Sequence, residues 1–240
     1  MQVLITGATG GIGFAIATEF AQAGHQVILA DLQQSTIDNK VAELNAQGFT
    51  AAGLQLDVTD AAAVDALSAQ YQIDVLVNNA GILFPQTSIE GLTAERINRV
   101  LATNVTGYFL CSREAVKRMA LRHGGHGGAI VNVSSAASRL GAPGEYLDYA
   151  ASKGAIDTLT IGLSLEVAAE GIRVNGVRPG VIYTDIHASG GEPGRVDRIQ
   201  SLLPMKRGGH PHEVAEAIVW LLSDCASYVT GSVLDLAGGK

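Results

Sequence analysis

Tyr149 and Lys153 stand four residues apart in Tyr149-Ala150-Ala151-Ser152-Lys153, a spacing that puts both side chains on one face of a helix about one turn apart. A free phenol, with a pKa near ~10, is too weak a base at neutral pH. Bringing it to ~7 requires a preference for phenolate of about 4 kcal/mol. One ammonium at ~4 Å in an effective dielectric of ~20 supplies about that much, before desolvation takes some back. By itself a Tyr-x-x-x-Lys pair usually marks an exposed helix face. Fourteen residues before Tyr149, however, Ser134-Ser135 closes a strongly apolar run, at the kind of strand end where open α/β sheets hold their ligands. A strand-end serine beside such a pair is a device for acid–base chemistry at a substrate oxygen.

A second group of residues suits phosphate. Thr6-Gly7-Ala8-Thr9-Gly10-Gly11-Ile12-Gly13 follows the first apolar run and opens an amphipathic stretch. Glycines let the chain turn tightly and let phosphate oxygens approach amide N–H groups, and a helix N-terminus favours the negative charge. The spacing G-x-x-x-G-x-G differs from the general dinucleotide fingerprint G-x-G-x-x-G, so the loop by itself is a weak signal. Asp31, 18 residues after Gly13 at the end of the second apolar run, strengthens it, because a carboxylate there can accept from both adenosine ribose hydroxyls. Leu32, Thr9 and Gly10 surround that position without a cation, which predicts NAD(H) rather than NADP(H).

Positioning these groups requires alternating strands and helices. Gln2–Thr6, Gln26–Asp31, Ala51–Asp57, Ile73–Asn78, Ala129–Ser134, Arg173–Arg178 and Ser232–Leu236 read as strands, short and apolar on both faces as buried parallel strands are. Between them lie helical patterns, with Ile156, Leu159, Leu163 and Val167 on one stripe, and Val214, Ile218 and Leu221 on another that starts at Pro211. The order predicts a doubly wound parallel sheet of seven strands with helices on both faces. A chain of 240 residues, 47% apolar and 16% charged, is expected to form one domain over 1–240 with ample core. The net charge of -7 argues against a nucleic-acid backbone or an anionic membrane as the main partner. No apolar run reaches the ~18 residues of a membrane span. The first residues lack the basic leader of a signal peptide, and Cys111 and Cys225, both in helix-like apolar settings, make no disulfide framework. The expected compartment is the cytoplasm. Thr184–His210 is the one long irregular segment and is expected to be a lid.

The sequence resembles the short-chain dehydrogenase/reductase family over essentially its whole length. The resemblance rests on Thr6-Gly7-x-x-x-Gly11-Ile12-Gly13, Asp57-Val58, Asn78-Asn79-Ala80-Gly81, Thr103-Asn104-Val105, Ser134-Ser135, Tyr149-x-x-x-Lys153 and Pro179-Gly180-x-x-x-Thr184. It implies a Rossmann-type fold, with Tyr149 as the acid–base residue and Ser135, chosen over Ser134 by family spacing, bonded to the substrate oxygen. Lys153 would hold the nicotinamide ribose and lower the Tyr149 pKa, and Asn104 would hold a relay water. Gly7, Gly10, Gly11, Ile12, Gly13, Asp31 and Leu32 would bind the cofactor's phosphates and ribose. Asp57 and Val58 would contact its adenine end, Asn79, Ala80 and Gly81 would wall its cleft, and Pro179, Gly180, Ile182 and Thr184 would flank the nicotinamide. Two departures stand out: one residue more than usual separates the serine from the tyrosine, and Ala237 lies where relatives often carry an acid. From Asn78 onward the sequence is similar to glucose 1-dehydrogenase-like and 3-oxoacyl carrier-protein reductase-like members. The family also implies a homotetramer with 222 symmetry.

Three functions compete on these residues. The first is an NAD-dependent alcohol dehydrogenase or carbonyl reductase acting on a small polar alcohol or carbonyl. The second is an NADPH-type 3-oxoacyl thioester reductase, which Arg195, Arg198, Lys206 and Arg207 near the lid would suit by attracting an acidic carrier protein. The third is a catalytically inactive nucleotide sensor, which the presence of all four of Asn104, Ser135, Tyr149 and Lys153 disfavours. His123-Gly124-Gly125-His126 reads as a helix C-terminal turn and not as a metal site. Arg113, Lys117, Arg118 and Arg122 read as a solvated helix face or a subunit contact, with Glu114 four residues before Arg118. Tyr146 has alanine four residues on and reads as a pocket wall.

Overall fold

The computed structural model describes the backbone of residues 1–240 and every side chain except those of residues 68–70. Seven parallel strands, β1 (Gln2–Thr6), β2 (Gln26–Asp31), β3 (Ala51–Gln55), β4 (Val75–Asn78), β5 (Gly128–Val133), β6 (Ile172–Pro179) and β7 (Val233–Leu236), lie in the order β3-β2-β1-β4-β5-β6-β7. The order reverses between β1 and β4, which opens a crevice at the carboxyl ends of these two strands, the place where such sheets bind ligands. The first two strands match the sequence expectation. Ala51–Asp57 is shorter as a strand, although Leu56 N–H still donates to Asp31 O at 2.8 Å, because Leu56 and Asp57 leave the ladder to turn into the crevice.

The all-apolar strands serve two cores at once. Val3, Ile5, Val27, Leu29, Val75, Val77, Val131 and Val177 face α1 (Gly11–Gln22) and α10 (Pro211–Leu222). Leu4, Ile28, Leu76, Ile130 and Val174 face the other way, toward α3 (Ala61–Gln70) and α5 (Gly107–Met119). Alternate residues of each strand thus fill opposite layers. The helix α2 (Gln34–Ala46) flanks β3, and α7 (Leu147–Val167) packs beside β6 and α5. Helix starts are chemically marked. Asp60 accepts from the amides of Ala62 and Ala63 to open α3, and Thr93 accepts from Arg96 N–H to open α4 (Ala94–Leu101). Pro211 occupies the first turn of α10 while Glu213 accepts from His210 N–H at 2.8 Å.

Two details correct the sequence reading. Thr184–His210 is not irregular throughout: it carries α8 (Ile186–Ser189) and α9 (Arg195–Ile199), single turns too short for a periodic apolar signal. Cys111 is buried as expected, but Cys225 is exposed, because it follows the last helical residue of α10 into a surface turn. The short helix α6 (Ala137–Leu140) and a turn through Gly141 and Ala142 join β5 to α7. Ala142 adopts φ +45° there, a left-handed conformation unusual outside glycine.

Candidate active site

At the crevice, β1 delivers its chain into a loop that only glycine can make. Gly7 and Gly11 have φ of +63° and +49°. A Cβ on Gly7 would lie 2.8 Å from Ala80 Cα, and one on Gly13 would lie 2.1 Å from Gly7 O. A Cβ on Gly10 would meet nothing within 4 Å, so the cradle opens at that residue. Thr6 Oγ1 accepts from the amides of Asn79 and Ala80 at 3.0 and 3.1 Å, and Asn79 Nδ2 donates to the carbonyls of Thr6 and Gly7. These bonds sew the loop to the end of β4. The resulting cleft, of about 670 Å³, is lined by Gly7, Gly10, Gly11, Ile12, Asp31, Leu32, Asp57, Val58, Asn79, Ala80, Gly81 and Thr184. Gly13 lies behind the loop and allows α1 to approach β1.

Asp31 is held by a residue that the sequence reading passed over as merely uncharged. Thr9 donates to Asp31 Oδ2 from both its amide (3.0 Å) and its hydroxyl (2.7 Å), and Leu32 N–H donates to Oδ1 at 2.8 Å. Thr9 thereby fills both lone-pair sites of Oδ2, while Oδ1 retains one for a further donor. The glycine cradle, the α1 amides above it and this carboxylate at its far end fit an adenine dinucleotide. Among the described residues, Arg99 is the single cation on the cleft wall.

A second cavity of about 390 Å³ adjoins the first, and Ile12, Thr184 and Ile186 line both. Ser135, Tyr146, Tyr149, Pro179, Gly180 and Ile182 line the second one. Tyr149 sits in the first turn of α7, and its phenol shares the cavity wall with Ser135, whose side chain is near enough to lower the phenol's pKa. Ser134 is turned differently: its hydroxyl donates to Lys153 O at 3.1 Å. Geometry and family spacing therefore bring the same serine to Tyr149. Lys153 is buried, with Nζ donating to Val133 O at 2.7 Å and to Tyr108 Oη at 3.2 Å. Asn104 occupies a π-helical turn, Ala102–Thr106, between α4 and α5, an irregularity frequent at functional sites. Its Oδ1 accepts from Ile82 N–H at 2.8 Å while Nδ2 donates to Ile82 O and Ser152 Oγ. Gly81 keeps clear the space between Asn104 Oδ1 and Lys153 Nζ, since a Cβ there would lie 3.6 Å from each.

The electrostatics of this cluster are set by burial. Burial raises the Tyr149 pKa above its usual value, while the neighbouring Ser135 side chain pulls it down. Burial also lowers the Lys153 pKa to about 7, against the attraction of Asp157. Burial thus opposes the depression of the phenol that the resemblance assigns to Lys153. Its own charge is only partly retained, and its Nζ is engaged by Val133 and Tyr108.

Supporting contacts lie outside every sequence motif. Arg96 on α4 grips Asp148, the residue before Tyr149, with Nε to Oδ2 at 2.7 Å and Nη2 to Oδ1 at 3.2 Å, and donates to Pro85 O. Arg195 on α9 donates to both carboxylate oxygens of Glu145 at 2.6 and 3.1 Å, tying the lid segment to the turn before α7. Tyr146 is a buried wall residue, and its hydroxyl accepts from Gln86 at 2.9 Å. Sequence spacing could not reveal the Arg96–Asp148, Arg195–Glu145 and Gln86–Tyr146 pairs, which are separated by 50 or more positions. Glu114 pairs with Arg113 and Lys117, not with Arg118. Gly124, at φ +81°, closes the turn that carries His123. Among the described residues, no group of three or more His, Cys, Asp or Glu could hold a metal ion, and no helix is long and apolar enough to cross a membrane.

Known proteins resemble this chain over nearly its whole length. A family model described as enoyl-(acyl carrier protein) reductase matches residues 7–240. The oxidoreductase YgfF of Escherichia coli K12 is 66% identical over 243 residues, covering 99% of this chain and 98% of its own. The structure of 3-oxoacyl-[acyl-carrier protein] reductase from Brucella melitensis with bound NAD gives a TM-score of 0.89 at 36% identity, over 99% of this chain and 90% of that one. A Beutenbergia cavernae structure described as an NAD(P)-dependent gluconate 5-dehydrogenase, with NADP at low occupancy, gives a TM-score of 0.91 at 34% identity, over 99% and 95%.

Proposed function

The chain belongs to the short-chain dehydrogenase/reductase family of oxidoreductases acting on CH–OH groups, and on that premise we propose that it interconverts an alcohol and a carbonyl on a small polar substrate with NAD(H), using Tyr149 as acid and base. The observation that carries this reading is the placement of Tyr149 beside Ser135 on the wall of a cavity that joins the dinucleotide cleft. The bound nicotinamide would accept or donate the hydride. Tyr149 would take the proton from the substrate hydroxyl during oxidation and return it during reduction, and Ser135 would hydrogen-bond the same oxygen. Lys153 would hold the nicotinamide ribose and, when charged, favour the phenolate. Asn104 Oδ1 keeps one lone pair free of Ile82, toward the space that Gly81 clears, and a relay water is assigned there.

The cofactor preference rests on Asp31. Thr9 and Leu32 fix the carboxylate's orientation, and neither they nor Gly10 offers a cation for a 2′-phosphate. Family members hold either cofactor, so the preference belongs to this local charge. Two anions brought together in a partly desolvated cleft cost several kcal/mol, and a preference for NAD(H) of at least ~100-fold, about 2.7 kcal/mol, follows. The carrier-protein reading is weakened at the lid. Arg195 and Arg198 pair with Glu145 and Glu192, Arg207 pairs with Glu213, and the Lys206 ammonium donates to Ser201 O. Little uncompensated charge is left there to attract an acidic partner.

We assign residues 1–240 to one catalytic domain, with 184–210 as the lid over the substrate cavity, working in the cytoplasm as a homotetramer. Two separate apolar faces support the assembly. Phe109, Ile161 and Leu165 are exposed on α5 and α7, and Trp220, Tyr228 and Leu234 are exposed around α10 and β7. Two self-complementary faces generate 222 symmetry. The enzymatic reading is tested by a panel of sugars, secondary alcohols and keto-esters assayed with each cofactor through the absorbance of reduced nicotinamide. Turnover with NAD(H) at least ~100-fold more efficient than with NADP(H) is expected. Equal efficiency, or a preference for NADP(H), would show that Asp31 does not set the choice.

A further inference from the structure

We propose that Tyr108 is a positioning residue for Lys153, holding the ammonium from the side away from the cofactor cleft so that one N–H remains for the cofactor. The proposal rests on the assignment of Lys153 to the nicotinamide end of that cleft. Tyr108 is the second residue of α5, directly after the π-helical turn that carries Asn104. It is fully buried, lines neither cavity, and packs against Ile156 and Leu159. Its hydroxyl donates to Val133 O at 3.0 Å, and the same carbonyl accepts from Lys153 Nζ at 2.7 Å. Lys153 Nζ lies 3.2 Å from Tyr108 Oη, so the three groups form a closed triangle. Because the phenol proton goes to Val133 O, its lone pairs are left to accept from the ammonium.

An ammonium has three N–H bonds. Two are spent in the triangle, and the third has no protein partner among the described residues. Gly81, a residue of the cleft wall, would place a Cβ only 3.6 Å from Nζ, so the ammonium borders the cleft where it is not held. Burial, with smaller contributions from Tyr149 and Cys111, keeps the Tyr108 phenol well above its usual pKa, so it acts as a neutral acceptor. The charged and titratable groups around Lys153 are few. Tyr108 and, one turn on, Cys111 come from α5, and Tyr149 and Asp157 come from its own helix. Asp157 is paired with Arg178 of β6, and Asp148, in the first turn of α7, is paired with Arg96 of α4. Tyr108 is the one that bonds the ammonium directly.

Removing the hydroxyl takes an acceptor from a buried cation and disfavours its charged form. The measurement is NADH binding by fluorescence titration from pH 5.5 to 9.5, which needs no substrate. Affinity of the wild type should fall as pH rises through the Lys153 midpoint. In Tyr108→Phe that midpoint should move down by about one unit, so that binding weakens about two-fold at pH 6 and nearly ten-fold at pH 8. Tyr108→Leu, a second variant without the hydroxyl, should move it the same way. Lys153→Met should flatten the profile. A flat Lys153→Met profile with an unmoved midpoint in the Tyr108 variants overturns the role of Tyr108 and leaves that of Lys153 standing, as does an equal loss of affinity at every pH. A Lys153→Met protein that keeps the wild-type profile overturns both.

Discussion

Asp31 joins two tasks, because it orders the glycine loop through Thr9 and also faces the position proposed for the adenosine ribose. The tasks separate on substitution. Asp31→Ser with Leu32→Arg should shift the preference toward NADP(H), as steady-state kinetics with both cofactors would show, while leaving Tyr149 chemistry intact. The same double variant loses charge-assisted bonds from Thr9, so it should also unfold with about 1.5 kcal/mol less stability. An unchanged cofactor ratio would mean that the ribose lies elsewhere. Much of this scale was legible in the sequence, because Tyr149, Lys153, Ser135, Asp31 and the glycines sit within short motifs whose spacing carries their geometry. Thr9, Tyr108 and Asn104's partner Ile82 were not legible. Their meaning lies in bonds to residues far along the chain, and neither a threonine in a glycine loop nor a tyrosine in a helix has a spacing that announces such a bond.

At the scale of elements, the pairing of α4 with the start of α7 sets the surroundings of Tyr149. Asp148 is buried, and Arg96 satisfies both its oxygens. Arg96→Met would leave that carboxylate buried and unpaired. A loss of about 3 kcal/mol is expected, seen as a fall of roughly 6–12 °C in Tm. A fall of less than 2 °C would show that water replaces the guanidinium there. The strands were the most legible elements, because Val, Ile and Leu runs such as Gln26–Asp31 must face helices on both sides. The lid was the least legible. The four-residue α8 and five-residue α9 contain too few turns for periodicity, and the Arg195–Glu145 pair that ties them down joins positions 50 residues apart. The π-helical turn at Asn104 also leaves no trace in the pattern, since it spans only five residues and its one buried side chain is polar.

For the whole molecule, the fold concentrates its chemistry at one crevice and leaves two apolar faces elsewhere. Phe109, Ile161 and Leu165 on one side, and Trp220, Tyr228 and Leu234 on the other, expose large side chains that a tetramer would cover. Light scattering at micromolar concentration should report four times the 24.8 kDa chain mass, and a one-chain mass would refute the assembly. The central claim is that this molecule moves a proton through Tyr149 while the neighbouring cleft holds the cofactor. Its most direct test is Tyr149→Phe, which keeps the ring and removes the acid–base group. NADH binding by fluorescence should stay within about three-fold of the wild type, while turnover on the best alcohol of the panel should fall by about 10²–10⁴-fold. Turnover within a few-fold of the wild type, with cofactor binding unchanged, would contradict the account.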